Sequence, residues 1–64
     1  MPIIQVNMLE GRSVETKRAY VKALTDCTVE ILKCKPEVVS IVLNDIQPVN
    51  SAKAGKLRLD DMGK

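Results

Sequence analysis

One proline, Pro36, narrows the folds open to this chain more than any other residue. It cannot continue a helix, and it biases Lys35 away from helical angles. Upstream of it, Tyr20, Leu24, Cys27 and Ile31 recur at steps of four, three and four, flanked by Val21, Thr28 and Leu32. That spacing predicts an amphipathic helix with one broad apolar stripe. Lys17, Arg18, Lys22, Asp26 and Glu30 fall mostly elsewhere and are expected to meet solvent. Ser13 is a good N-cap and Glu15 sits well against the helix dipole, so the helix is expected to begin at Val14 and to end near Lys33 or Cys34.

Strand patterns lie on both sides of this helix. Residues 3 to 9 place Ile4, Val6 and Met8 on one face and Ile3, Gln5, Asn7 and Leu9 on the other. Gly11 then supplies backbone freedom for a turn. Beyond Pro36, Val38 to Ile46 is rich in β-branched residues and reads as a second strand. Strand, long helix, strand is a β-α-β unit of the α/β (α+β) class, with parallel strands joined by a right-handed crossover. One helix covers one sheet face. The other face, half apolar through Ile3 and Leu9, is expected to be covered by another chain or by a pocket wall.

After Ile46, Gln47 to Gly55 is loop-like and permits a turn or short hairpin, with Leu57, Leu59 and Met62 as the apolar anchors beyond it. This tail is expected to be ordered only where a neighbouring subunit holds it. The whole chain, 1–64, reads as one domain. At 64 residues it is short of core, and the 45% hydrophobic content includes one Tyr but no Phe or Trp, so any core is aliphatic. Cys27 and Cys34 stand on one helix too far apart to bridge, and read as small core or interface residues. With no histidine, no metal site is expected. Oligomerisation is then the expected supplement. A net charge of +2 and the missing stacking platform argue against nucleic acid. No run is long or apolar enough to cross a membrane and no signal-peptide pattern opens the chain, so cytoplasmic residence is the expectation.

Chemistry is concentrated at the start of the chain. Methionine before a small residue is expected to be removed, which leaves Pro2 as a secondary amine. An α-amino group titrates at about 8 in model peptides. Burial and a nearby cation lower it further, because both disfavour the charged form. Such an amine is a general base suited to neutral pH. Taken alone, Pro2 is better explained as a stable terminus on an edge strand.

The run that follows gives Pro2 more meaning. Met1-Pro2-Ile3-Ile4-Gln5-Val6 with Leu9-Glu10-Gly11-Arg12-Ser13 resembles the opening of the 4-oxalocrotonate tautomerase family, and the likeness continues more weakly to about Ile46. The resemblance implies an isomerase whose N-terminal proline moves a proton between carbons of a small dienol or unsaturated 2-oxo acid, with no cofactor, while arginines hold a carboxylate substrate. It also implies half of a duplicated β-α-β architecture. A dimer would rebuild a four-stranded sheet with two helices, and the family resemblance extends this to a hexamer.

Pro2 matches the catalytic position and Arg12 a substrate-binding one. Arginine suits that task because its planar fork grips a carboxylate in two places and stays charged; a solvated turn residue is the competing reading of Arg12. Two positions depart from the pattern. Ser40 stands where a second arginine is usual, and Ser51, on an ungapped loop, where an aromatic residue makes the pocket apolar. Lys53, Lys56 and Arg58 are candidates for a replacement cation, or a related chain supplies the missing groups in a hetero-oligomer. Two other functions therefore stay open: a lyase-type hydratase or dehalogenase working with a protonated proline, and a non-catalytic subunit.

Overall fold

The structure, a computed structural model, describes residues 1–61. Strand β1 (Ile3–Leu9) leads through a turn into helix α1 (Val14–Leu32), and strand β2 (Ser40–Ile46) follows a short 3-10 turn at Pro36–Val38. A second 3-10 turn at Pro48–Asn50 precedes a small antiparallel hairpin of β3 (Ala52–Lys53) and β4 (Lys56–Leu57), and one helical turn, α2 (Arg58–Asp61), comes last. Met62, expected as an anchor of the tail, lies outside the described residues.

The expected β-α-β unit is present. β1 and β2 pair in parallel from Ile3↔Ser40 to Leu9↔Ile46, and the ladder extends at both ends through Ser40 N–H to the Pro2 carbonyl (3.0 Å) and Glu10 N–H to the Ile46 carbonyl (2.9 Å). Gly11, at φ 123°, takes a backbone conformation that only glycine adopts freely, and the chain leaves the sheet there. Ser13 caps α1 as expected, its hydroxyl oxygen accepting from the Thr16 N–H at 3.1 Å. The helix stops at Lys33, whose left-handed backbone (φ 58°) lets its N–H reach the Val29 carbonyl.

Three local expectations need correction. The second strand starts at Ser40, because Pro36 sets the first position of a 3-10 turn that takes Val38 with it, closed by Val38 N–H to the Lys35 carbonyl and Val39 N–H to the Pro36 carbonyl. The helix stripe is rotated. Lys17, Val21, Leu24, Thr25, Thr28 and Val29 are half-buried, whereas Ile31, Leu32 and Tyr20 are exposed, Ile31 by 69%. The tail forms its hairpin from this chain's own residues, tied back by Arg58 N–H to the Ser51 carbonyl at 2.7 Å.

Among the described residues none is fully buried. Ile4, Val6, Met8, Ile41 and Leu43 are half-covered on one sheet face. The other face presents Ile3, Val42 and an Asn7–Asn44 amide pair, Asn44 Nδ2 donating to Asn7 Oδ1 at 2.9 Å, all exposed. No helix among the described residues is long and apolar enough to cross a membrane.

Candidate active site

A cleft of about 320 Å³ opens between the second half of β1 and the first turns of α1. Its lining joins two strand side chains, Val6 and Met8, to three from the helix, Thr16, Lys17 and Tyr20, with Arg12 supplied by the turn between them. Strand alternation puts Val6 and Met8 on one face, and the Gly11 turn folds the helix start back over that same face.

Each polar group in the cleft has a definite state. Arg12 Nη1 donates to the Leu9 carbonyl at 3.1 Å, which fixes the guanidinium against the end of β1, and among the described residues no carboxylate pairs with it. Lys17 Nζ instead meets Asp45 of β2 at 2.6 Å, with the lysine side chain only 27% exposed. Ser13 Oγ donates to Thr16 Oγ1 at 3.0 Å, holding that side chain at the cap. Further along α1, outside the cleft, a side-chain hydrogen bond from Lys22 to Asp26 holds the exposed lysine above its ordinary range.

The residues singled out from sequence separate into two groups. Pro2 and Ser40 adjoin at the start of the ladder, linked by the Ser40 N–H. Arg12 lies past the far end of β1, and Ser51, half-buried, past the matching end of β2. Seven steps of strand from Pro2 to Leu9 span roughly 23 Å, so one copy of the chain does not bring Pro2 and Arg12 together. Of the alternative cations, Lys56 is paired with Asp61 at 3.2 Å. Among the described residues no cluster of three or more His, Cys, Asp or Glu could hold a metal ion. Cys27 and Cys34 are both free thiols.

Sequence reasoning missed Tyr20 and Lys17 as cleft residues, assigning the first to the core stripe and the second to solvent. The available signal was their spacing from Arg12: a residue one or two helical turns beyond a turn arginine lies above the strand that precedes it.

The tautomerase enzyme family model matches residues 2–58. The chain belongs to the tautomerase family. A probable tautomerase of Halalkalibacterium halodurans is 41% identical over 61 residues, which is 95% of this chain and 98% of that protein. The 2-hydroxymuconate tautomerase of Bacillus subtilis is 37% identical over 62 residues, covering 97% and 98% of the two chains. Among solved structures, a 4-oxalocrotonate tautomerase isozyme from Methylibium petroleiphilum superposes with a TM-score of 0.92 at 39% identity, covering 97% of each chain. The β-α-β unit with its terminal hairpin is thus a tautomerase fold, and the cleft lies in a chain of an isomerase family.

Proposed function

We propose that this tautomerase isomerises a small unsaturated 2-oxo acid, with Pro2 as general base once Met1 is removed and Arg12 as the carboxylate-binding group. The observation that carries the reading is a guanidinium with no carboxylate partner among the described residues, set beside apolar Val6 and Met8. In a partly apolar cleft a charge-assisted pair to a carboxylate gains strength, and the same positive charge stabilises a dienolate as it forms. Pro2 would take a proton from the enol hydroxyl or an acidic carbon and return one at another carbon. Electrons move only within the substrate, so no cofactor enters. The 2-hydroxymuconate tautomerase named among the relatives supports the reaction class.

The separation of Pro2 from Arg12 gives this reading its assembly. β1 pairs with β2 along one edge only, so its other edge is free among the described residues. A second copy joined antiparallel along that edge sets the start of its β1 beside the end of the first. Pro2 shares alternation parity with Ile4, Val6 and Met8, so the second copy's Pro2 faces the side that carries the cleft. The smallest working unit on this reading is a dimer, each site using both copies, and larger assemblies build on it. Ser40 and Ser51 flank the two halves as neutral hydroxyls. The cytoplasm is the compartment this reading gives the protein, one in which Cys27 and Cys34 would stay reduced.

Ser40 beside Pro2 favours a second reading. It brings no positive charge, so the proline amine is lowered less and can hold its proton at neutral pH, as a hydratase or dehalogenase acting through an acid requires. A pH–rate profile separates the two: base catalysis rises through the proline pKa, acid catalysis falls through it. The decisive comparison is between processed protein and protein carrying Met1, with intact mass recorded for both. Processed protein is expected to turn over a 2-hydroxydienoate and the Met1 form to be inactive, while Arg12→Ala is expected to lose about 2–3 kcal/mol of transition-state binding. Equal rates with and without Met1 would remove Pro2 from the mechanism. Activity that appears only after mixing with a related chain would assign this one to a hetero-oligomer.

A further inference from the structure

Resting on the reading of the cleft as the substrate site, we propose that Tyr20 is a specificity-determining residue, and that, with Arg12 the one cleft cation not ion-paired among the described residues, it selects a monocarboxylate bearing an apolar or aromatic tail over a dicarboxylate. Two cationic side chains line the cleft, Arg12 and Lys17. Lys17 is committed to Asp45 at 2.6 Å, an opposite charge within direct contact, so the pair adds little net potential to the cleft. Among the described residues Arg12 meets only the neutral Leu9 carbonyl and no carboxylate. At the Pro2 end Ser40 is neutral. One uncompensated guanidinium complements one carboxylate, and a second carboxylate would be desolvated against Val6 and Met8 without a partner.

Tyr20 is the sole aromatic residue of the chain, and 39% of its surface is exposed even though it faces the cleft. Among the described residues its hydroxyl makes no hydrogen bond within the chain, so it remains available to a ligand. With Val6 and Met8 opposite, the ring completes an apolar slot, and a cleft of about 320 Å³ falls within the range that small organic ligands fill. Packing a flat or apolar tail on an aromatic face is favourable, and the tyrosine tip can meet a polar group at its end.

Because the chain has one Tyr and no Trp, tyrosine emission reports on this position alone, independently of turnover. The processed, assembled protein should be titrated with 3-cyclohexylpropanoate and with adipate, neither of which absorbs where tyrosine is excited. A saturable emission change at least about tenfold tighter for the monoacid is expected, corresponding to one aromatic contact's worth of affinity. Arg12→Ala should abolish it. In turnover, Tyr20→Leu should raise KM about tenfold for the enol of phenylpyruvate and much less for the enol of pyruvate, while Tyr20→Phe keeps most of the discrimination. Asp45→Asn, which frees Lys17, should improve adipate binding.

Adipate binding as tightly as the monoacid to unaltered protein would overturn the proposal. So would equal KM changes for both enols in Tyr20→Leu, or a changed assembly mass in that variant without selectivity loss, since each makes Tyr20 a packing residue. Preferential monoacid binding without turnover of any enol would sustain the specificity site and remove only the isomerase reading.

Discussion

Ser51 holds a hydroxymethyl group where the family resemblance places a ring, and if a second copy brings its Pro2 to this end of the sheet, as proposed, the consequence falls on that amine. A polar, half-buried position admits water, and a hydrated ammonium keeps its proton to higher pH. Ser51→Phe is expected to desolvate the amine and lower its pKa. A base works in its unprotonated form, so the ascending limb of the pH–rate profile should move to lower pH. A profile that stays in place would show that residue 51 does not face the amine. Pro2 and Arg12 could be proposed from the sequence because their chemistry is tied to position, one at the terminus and one in a turn marked by Gly11, and the structure sets Arg12 in the cleft lining. Tyr20 could not be, because helical periodicity gives a face but not the tilt at which that face meets the sheet. The Lys17–Asp45 pair joins residues 28 apart in sequence. Nothing local in either segment announces it.

Elements were read where their ends carry chemistry. Ser13 and Gly11 fixed the start of α1, and Pro36 its end to within a residue or two. The start of β2 was misread because Val38 and Val39 have strand propensity, while Pro36 at the head of a 3-10 turn overrides it. The end of α1 also holds a local conflict. Lys33 adopts φ 58°, a conformation in which its Cβ crowds the following carbonyl. Lys33→Gly should relieve about 1 kcal/mol of that strain and raise Tm by roughly 4–8 °C in a melt at fixed protein concentration. Ala54 and Gly55, both at positive φ, form the two-residue loop between β3 and β4. Asparagine tolerates that region better than alanine, so Ala54→Asn should also stabilise the fold. An unchanged melt in both variants would show that neither loop limits stability.

At the scale of the whole molecule the dimensions are 43 × 24 × 14 Å, with a radius of gyration of 15.1 Å, against about 11 Å for a compact domain of this length. A slab this thin is one sheet layer and one helix layer, and its open face carries Ile3, Val42 and the Asn7–Asn44 pair. Val42→Glu puts a charge on that face. If a second copy covers it, the substitution should lower the sedimenting mass and remove the cooperative thermal transition; a variant that melts as sharply as the parent would show that this face is solvated. A further consequence follows from the absence of any fully buried residue among those described. If, as proposed, the core is completed only when copies meet, folding ceases to be a property of one molecule and becomes a reaction with an order. Dilution then acts as a denaturant: for a dimer, each tenfold fall in concentration removes about 1.4 kcal/mol from the stability of the assembled state. Refolding should then slow in proportion to dilution, and on that reading the amount of chain in a cell becomes one of the determinants of its structure.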